Sequence, residues 1–271
     1  MIIDGRAIAR DVLEQAAQEA RALSHVPSFG AFVVAPNAAT RSYLAMKERH
    51  AKSAGIAMIV HELPEDISED ALCAALKGAE EDAVILQLPL PESVDLMRVL
   101  KEIPQEKDAD VLSPYTREAE TLTHPIAASI EELFTRNAVA LEGKHAVVVG
   151  QGWLVGVPVA EWLRAQGAVV EVVTKEAGDL AEALQGAEII VSGTGVPGLI
   201  TEAMIPVGAI VIDIGTSELG GSIAGDVDRD AANKASLFTP VPGGVGPIAV
   251  AFLMRNVVTL ARLRNSEKTV H

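Results

Sequence analysis

The chain has 271 residues and a formal net charge of −15, with 49% apolar but only 3% aromatic residues. The length favours two domains and the aliphatic composition suits α/β layers, while the negative charge argues against binding to nucleic acids or anionic membranes. Cys73 is the one cysteine in the sequence, which excludes an internal disulfide. Because we find neither a basic leader nor a long apolar segment, we expect a soluble, cytoplasmic protein.

In the first half of the chain, helical patterns alternate with short apolar runs that indicate buried strands. Tyr43 and Lys47 lie four residues apart in one predicted helix and therefore share a helix face. By spacing alone, a solvated lysine beside a half-buried tyrosine is the more ordinary interpretation. The predicted elements of this half are helices at 1–22, 39–54, 69–78 and 94–103, and strands at 31–35, 56–61 and 83–88.

Polar residues follow the third predicted strand. Gln87 is the last polar residue of the run AVILQL, and prolines follow in LPLP. The carboxyl end of a parallel strand is where α/β sheets place ligands, although a loop amide bonded to the backbone explains Gln87 equally well. Asp108 and Asp110 lie in PQEKDADVLSP, a composition more typical of a solvated loop.

The second half contains a glycine-rich turn between a predicted strand, residues 146–149, and a helix. Gly150, Gly152 and Gly156 form a G-x-G-x-x-x-G spacing, one residue longer than the usual dinucleotide fingerprint. Such a turn lets backbone N–H groups approach a phosphate at the positive end of a helix, although a plain strand-to-helix turn fits the spacing too. Further strands at 168–174, 188–191, 209–212 and 237–238 favour a Rossmann-like parallel sheet, and a closing helix is predicted at 248–263.

Two loops in this half have open interpretations. The second strand ends in Thr174-Lys175-Glu176, where a carboxylate suits a free ribose hydroxyl and a cation suits a 2′-phosphate. The loop TPVPGGVGP, residues 239–247, fixes an irregular backbone that suits either a flat ligand lying against main chain or a rigid hinge.

Motifs in almost every part of the chain carry a resemblance to a known family. They are, in order, MIIDGRAIAR, SYLAMK, VILQLPLP, EKDAD, GKHAVVVGQGWLVGVP, GAIVIDIGT, AGDVD and TPVPGGVGP. With these motifs the chain resembles the bifunctional methylenetetrahydrofolate dehydrogenase/cyclohydrolase family.

The resemblance implies a two-lobed α/β fold with a cleft between the lobes. Residues 1–120 with 248–271 would form an αβα folate-binding lobe, and residues 121–247 a Rossmann-like NAD(P)-binding lobe. Members oxidise 5,10-methylenetetrahydrofolate to the methenyl form and hydrate that to 10-formyltetrahydrofolate. The implied partners are a tetrahydrofolate derivative as substrate, NADP or alternatively NAD as cofactor, and a second copy of the chain in a homodimer, with no metal and a place in purine biosynthesis.

The resemblance also implies roles for single residues. Lys47 would be the central catalytic residue, Gln87 would work with it, Tyr43 would flank the aromatic ring of the folate, and Asp110 would bind the pterin. The implied substrate-binding set is completed by residues of two loops, namely Leu88, Pro89, Pro242, Gly243, Gly244 and Pro247. The implied cofactor set is Gly150, Gln151, Gly152, Lys175 and Thr216.

Some positions depart from the family pattern. Gln151 and Gly152 stand where the family usually has an arginine and a serine, and that arginine helps to hold the 2′-phosphate of NADP; Lys175 is a candidate substitute, which Glu176 would oppose. Val111 also departs from the pattern. Two alternatives therefore stay open: a relative with a single activity, either dehydrogenase or cyclohydrolase, and a non-catalytic nucleotide or folate binder.

Overall fold

The structure is a computed structural model that describes residues 1–119, 121–176, 178–219 and 222–269. In chain order its helices are α1 (Gly5–Arg21), α2 (Ala38–Ser53), α3 (Glu69–Lys77), α4 (Leu96–Lys101), α5 (Pro114–Glu118), α6 (Pro125–Arg136), α7 (Gly156–Ala165), α8 (Leu180–Ala183) and α9 (Val245–Thr269). Its strands are β1 (Ser28–Val34), β2 (Ala57–Leu63), β3 (Ala83–Gln87), β4 (His145–Val149), β5 (Val169–Val173), β6 (Ile189–Ser192), β7 (Ile210–Asp213), β8 (Ser217–Leu219), β9 (Ser222–Ala224) and β10 (Leu237–Thr239).

The chain divides into two compact units. We call Arg10–Pro125 with Val250–His271 the three-stranded unit, and Met1–Ala9 with Ile126–Ala249 the five-stranded unit. The family resemblance implies that Met1–Ala9 belong to the folate-binding lobe, whereas in the structure they group with the five-stranded unit. The reason is local, since Ile3 N donates to Phe238 O at 2.9 Å and Ile2 forms a parallel bridge with Phe238 beside β10.

The three-stranded unit is a small parallel sheet covered by helices. Its strand order is β2-β1-β3, and Phe29 of β1 lies opposite both Met58 and Ala83. The strands β1 and β3 are buried because both of their faces are covered, which is why they read as unbroken apolar runs. Leu253 and Val257 of α9 pack into the same core as Phe29.

The five-stranded unit is also a parallel sheet, with the order β10-β7-β6-β4-β5. From β4 the chain forms β5 on one side and then crosses to β6 on the other side. The carboxyl ends of β4 and β6 are therefore neighbours, with Val149 opposite Ser192. Such a topological switch point is where open α/β sheets bind ligands.

The α/β class with parallel sheets is confirmed. Several features differ from the predicted elements, among them the short helices α5 and α8, which are not predicted. The antiparallel pair β8–β9 is not predicted, because strands of three residues carry too little apolar pattern. The last helix is longer than predicted. By length and composition Val245–Ser266 could cross a membrane, but 67% of its most apolar window is buried in the fold, and core helices pass the same test.

Candidate active site

Three predicted site residues meet in the three-stranded unit. Lys47 Nζ donates to Gln87 Oε1 at 3.1 Å and lies 3.8 Å from Asp110 Oδ2. The side chains of Lys47 and Asp110 are 13% and 19% exposed, so the cation and the carboxylate are largely shielded from water but remain reachable. Partial burial removes water from both charges, and this desolvation lowers the stability of the fold. Charged groups held in such surroundings are common at functional sites, which makes this cluster a candidate for catalysis.

The elements that deliver these side chains are well fixed. Asn37 caps α2 by accepting a hydrogen bond from Thr40 N at 2.8 Å, so the helix carrying Tyr43 and Lys47 has a defined start. Tyr43 is half-buried and lies one turn before Lys47. The amide of Gln87 is oriented by its own donor, since Nε2 bonds Leu88 O at 2.8 Å and leaves Oε1 for the lysine.

The loop that carries Asp110 is held from several sides. Its neighbour Asp108 is 1% exposed and accepts hydrogen bonds from Leu112 N at 3.2 Å and Ser113 N at 2.8 Å, one on each oxygen. Burial raises the pKa of the Asp108 carboxyl to about 6 against the lowering effect of these N–H groups. A turn closed by its own carboxylate keeps Asp110 in place beside the lysine.

A second anchor comes from α9. Asn256 is buried and donates both protons of its side-chain amide, to Ala109 O at 2.9 Å and to Thr123 O at 3.1 Å. Ala109 N in turn donates to Val84 O at 3.2 Å, so the loop also follows β3. Sequence reasoning missed Asn256 and treated Asp108 as solvated, since neither a polar residue in an apolar helix nor an acidic loop reveals its partner.

Leu88 and Pro89 follow Gln87 at the end of β3. Their peptide bond is cis, Leu88 is half-buried and Pro89 is exposed. Leu88 O accepts the hydrogen bond from Gln87 Nε2, so both residues follow the Lys47–Gln87 pair directly, and their role as substrate contacts stays a prediction. His124, which precedes α6, is buried, and burial lowers its pKa to about 3, with a smaller contribution from Arg117.

The glycine turn of the five-stranded unit fits a phosphate group. Gly150 has φ +98°, and a Cβ on Gly156 would lie 2.1 Å from Gly150 O, so neither position tolerates a side chain. A Cβ on Gly152 would meet nothing within 4 Å, and Gln151 and Gly152 are exposed. The turn thus packs tightly on itself, leaves open space on its outer side, and leads into α7, whose amino end favours an anion.

The other predicted cofactor residues lie at carboxyl ends of strands in the same unit. Lys175 follows β5, is 91% exposed and lies 3.8 Å from Glu176, whose other oxygen accepts from Thr174 Oγ1 at 2.7 Å. Thr216 follows β7, is exposed, and donates to Ile214 O at 3.3 Å. A cation, Lys175, and a carboxylate, Glu176, therefore both lie at the end of β5, and their positions alone favour neither a 2′-phosphate nor a free ribose hydroxyl.

The proline-glycine loop belongs to the five-stranded unit, where it docks on the start of α1. Gly244 N donates to Pro240 O at 2.7 Å and Gly5 N donates to Gly243 O at 2.9 Å. A Cβ on Gly5 would lie 1.8 Å from Gly244 O. Pro242 follows a cis bond and is exposed, and Pro247 is half-buried. The loop backbone is thereby fixed by the residues DGR near the amino terminus.

A separate cavity of about 510 Å³ opens at the opposite edge of the five-stranded sheet. It is bordered by the ion pair Lys144–Glu188 and by Gly208, and it lies at the amino ends of β6 and β7. Because α/β sheets bind ligands at the carboxyl ends of their strands, we do not assign the site there.

Together these features define a class of protein. A parallel sheet with a glycine turn at its switch point is typical of dinucleotide-binding units, and the shielded Lys47–Gln87–Asp110 cluster adds groups suited to proton transfer. Within the described ranges, no three His, Cys, Asp or Glu side chains are grouped to hold a metal ion. The class is a nucleotide-dependent enzyme built from two α/β units.

Comparison with known proteins agrees with this class. Residues 3–110 match the family model of the tetrahydrofolate dehydrogenase/cyclohydrolase catalytic domain, and residues 125–265 match that of the NAD(P)-binding domain of the same family. The bifunctional protein FolD of Nitratiruptor sp. is 36% identical over 97% of this chain and 98% of its own length. The bifunctional protein FolD of Lactobacillus acidophilus is 35% identical over 98% of this chain and 99% of its own length.

Solved structures give the same result. The bifunctional FolD enzyme of Campylobacter jejuni has a TM-score of 0.92 and 30% identity, covering 97% of this chain and 99% of its own. The FolD enzyme of Trypanosoma brucei, solved with NADP cofactor and an inhibitor, has a TM-score of 0.89 and 32% identity, covering 98% of each chain. The chain belongs to the tetrahydrofolate dehydrogenase/cyclohydrolase family, which confirms the resemblance seen in its motifs.

Proposed function

We propose that the chain oxidises 5,10-methylenetetrahydrofolate to the 5,10-methenyl form with NAD(P)⁺ and hydrolyses the methenyl form to 10-formyltetrahydrofolate. The observation that carries the residue assignment is the contact of Lys47 Nζ with Gln87 Oε1 and its proximity to Asp110. The whole-length similarity to bifunctional relatives supports the pair of activities.

In the hydrolytic step Lys47 handles the proton. Water adds its oxygen to the cationic methenyl carbon and loses a proton, which the neutral amine of Lys47 accepts. Collapse of the resulting adduct breaks the bond from this carbon to N5: the ammonium of Lys47 gives its proton to N5, the amine so formed takes the proton of the adduct hydroxyl, and this one proton then leaves to solvent. Gln87 positions Nζ of Lys47, because Oε1 accepts a hydrogen bond from Nζ while Nε2 donates one to Leu88 O and so fixes the orientation of the amide.

Substrate orientation falls to Asp110 and Tyr43. A carboxylate can accept two hydrogen bonds from the pterin amine and ring N–H, which rejects analogues that lack these donors. Because the loop fixed by Asp108 and Asn256 carries Asp110, its oxygens are pre-positioned for such a pair. Tyr43, one helical turn from Lys47, offers an aromatic ring to the folate.

The oxidative step needs positioning rather than an acid or a base on the protein. When bound, the nicotinamide cofactor accepts the hydride. We assign its phosphates to the turn of Gly150, Gln151 and Gly152 and a further contact to Thr216. This assignment is supported by the open space at Gly152 and by the amino end of α7.

The test of the residue assignment is the variant Lys47→Met, which keeps the length and apolar stem of the side chain. Loss of a general acid–base group costs roughly 10²- to 10⁴-fold in rate, so we expect cyclohydrolase activity to fall by that range while the thermal unfolding midpoint stays near wild type. The exposed neighbour Glu48 provides the control Glu48→Gln. Full cyclohydrolase activity in Lys47→Met would contradict the assignment.

For the cofactor we propose NADP, with Lys175 as the cation beside the 2′-phosphate. Because Lys175 is exposed and close to Glu176, its attraction for the phosphate is weak, and exposed pairs contribute about 0.2–1 kcal/mol, or roughly 1.4- to fivefold. We therefore expect Lys175→Gln to lower kcat/KM for NADP by about that factor without changing kcat/KM for NAD. Glu176→Gln should change the NADP value in the opposite direction, and equal effects on both cofactors would refute the role of Lys175.

A dehydrogenase with no cyclohydrolase activity, or the converse, is the second candidate, since Gln151 and Gly152 depart from the family pattern. Assays of each step with NADP and NAD separate it from the bifunctional enzyme. We further propose a cytoplasmic homodimer that supplies formyl groups to purine biosynthesis; sedimentation of the purified chain tests the dimer.

A further inference from the structure

Two buried carboxylates in the five-stranded unit have no role in the chemistry above. Asp213 is the last residue of β7 and is 1% exposed; Asp226 lies after the β8–β9 pair and is 0% exposed. Both lie at the carboxyl edge of the sheet, because Asp213 is in register with Ser192 at the end of β6. We call Asp213 and Asp226 the carboxylate clasp.

Asp226 fixes the turn that follows β6. Its Oδ2 accepts three hydrogen bonds, from Ser192 Oγ at 2.7 Å, Thr194 N at 2.7 Å and Thr194 Oγ1 at 2.9 Å. Thr194 Oγ1 then accepts from Val196 N at 3.2 Å. The first half of this turn is therefore built around a single carboxylate oxygen.

Asp213 closes the loop that carries Thr216. Its Oδ1 accepts from Gly215 N at 3.0 Å and Asp226 N at 3.1 Å, and its Oδ2 accepts from Val227 N at 3.0 Å. The Asp213 carboxylate therefore binds backbone N–H groups at both ends of the loop, at Gly215 and at Asp226. Burial raises the pKa of Asp213 to about 7 despite these three donors, so the site is strongly desolvated.

The two loops fit so closely that glycine is required in each. A Cβ on Gly215 would lie 1.9 Å from Asp226 Oδ1, and a Cβ on Gly225 would lie 2.0 Å from Asp213 Oδ2. The glycines of the motifs DIG and AGD therefore leave space for the carboxylate of the other motif. A side chain on either glycine would therefore displace the carboxylate of the other motif.

The carboxylate clasp also acts on the glycine turn, through Thr194. A Cβ on Gly150 would lie 3.1 Å from Thr194 Cγ2, so the methyl group held by Asp226 packs beside the first glycine of that turn. Gly193 N donates to Val149 O at 3.2 Å, and a Cβ on Gly193 would lie 2.3 Å from Val155 Cγ1. The turn after β6 therefore forms one wall of the glycine turn.

We propose that the carboxylate clasp sets the affinity for the nicotinamide cofactor by holding these two loops, so that Asp213 and Asp226 are positioning residues for the dehydrogenase. The proposal rests on the proposed function, because it takes the glycine turn and Thr216 as the cofactor site. It predicts that a break in the clasp weakens cofactor binding while leaving hydrolysis of the methenyl substrate intact.

Asp226 offers a matched pair of variants. Because its three donors all converge on Oδ2, the carbonyl oxygen of asparagine can accept all three, and the amide nitrogen then takes the place of Oδ1, which has no hydrogen-bond partner among the described residues. The N–H groups of that amide gain no acceptor there, so Asp226→Asn should lower the thermal unfolding midpoint while it keeps the hydrogen bonds of the turn. Asp226→Ala removes the acceptor altogether. Asp228→Ala is the control, since Asp228 lies two residues away, is exposed and makes no capping hydrogen bond.

The experiment measures the Kd for NADP and for NAD by calorimetry, and both activities by initial rates. For Asp226→Ala we expect Kd and KM for the cofactor to rise roughly tenfold or more, the size of one strong lost interaction, with an unchanged cyclohydrolase rate. Asp226→Asn and Asp228→Ala should stay near wild type. Hydrogen exchange of a peptide spanning residues 190–197 should accelerate in Asp226→Ala alone, because Thr194 N has lost its acceptor.

An unchanged cofactor Kd in folded Asp226→Ala would overturn the proposal, as would an equal loss of both activities. If Asp226→Ala does not fold, Thr194→Val replaces it: valine keeps a methyl group beside Gly150 and the backbone N–H bond to Asp226, but it loses the hydroxyl bond to Asp226, and an unchanged Kd there would equally overturn the proposal. A wild-type chain that binds neither cofactor would overturn the proposed function itself, a result distinct from wild-type binding that the variants do not alter.

Discussion

At the scale of single residues, the buried carboxylates Asp108 and Asp226 look alike but use their oxygens differently. Asp226 gathers its donors on one oxygen, whereas Asp108 accepts one N–H on each oxygen. An asparagine at position 108 would turn its NH₂ group toward a backbone N–H and lose an acceptor. The same conservative exchange should therefore keep the hydrogen bonds of the turn at position 226 and lose one of them at position 108.

We accordingly expect Asp108→Asn to raise the KM for the folate substrate in both reactions, because the turn that carries Asp110 would loosen. Leaving a buried donor unsatisfied costs about 1–3 kcal/mol, which should also appear as a lower thermal unfolding midpoint. Steady-state kinetics with methylene- and methenyltetrahydrofolate, alongside calorimetric unfolding, check this, with Asp226→Asn as the matched control for the folate KM. An unaltered folate KM in Asp108→Asn would show that the turn keeps its shape without the carboxylate.

At the scale of elements, the start of α1 and the proline-glycine loop form one structural piece. Gly5 N bonds Gly243 O, and a Cβ at position 5 would overlap Gly244 O at 1.8 Å. Gly5→Ala must therefore push the loop away from the helix start. We expect a loss of stability of roughly 1–3 kcal/mol, the usual cost of overpacking, measured as the denaturant midpoint. Gly246→Ala is the control because a Cβ there meets nothing within 4 Å, and equal midpoints for the two variants would contradict the steric argument.

The elements also show what a single sequence can predict. The buried strands β1, β3, β4, β6 and β7 are apolar runs on which periodicity is a strong signal, so their positions are predicted to within a few residues. The short pair β8–β9 carries no such signal. The site is harder, because Lys47 and Gln87 are 40 residues apart and their contact is tertiary. Helical spacing relates Lys47 to Tyr43, but linking it to Gln87 and Asp110 required the family resemblance.

The clasp shows a further limit of sequence reasoning. The sequence shows Asp213 at the end of the apolar run IVID and Asp226 between Gly225 and Val227. A carboxylate that directly ends a buried strand is a poor candidate for solvation, and that signal was available. Its partner, thirteen residues later, could not be predicted, because the two are joined by the backbone N–H of Asp226 rather than by a pattern of side chains.

At the scale of the whole molecule, the free energy of unfolding depends on pH through buried ionisable groups, and these groups act in opposite directions. Asp108 and Asp213 have pKa values raised to about 6 and about 7, so the stability they add is fully present below the unfolded carboxyl pKa and is lost as pH rises through these values. His124 acts in the other direction. Its pKa is lowered to about 3, so its contribution is present above the unfolded histidine pKa and is lost as the pH falls toward 3.

Comparing variants separates these contributions. Between pH 6.5 and 5, neutral burial of His124 should cost the wild type about 1.6 kcal/mol of unfolding free energy, because the unfolded histidine is half protonated at the higher pH and almost fully protonated at the lower. His124→Asn cannot take up the proton, so its unfolding free energy should rise relative to wild type by about that amount as the pH falls. Urea unfolding of both proteins at the two pH values measures the difference. Any fixed cost of the substitution appears equally at both pH values, and the contributions of Asp108 and Asp213 cancel in the comparison. A difference between the proteins that does not change with pH would mean that His124 takes up its proton as readily when folded as when unfolded.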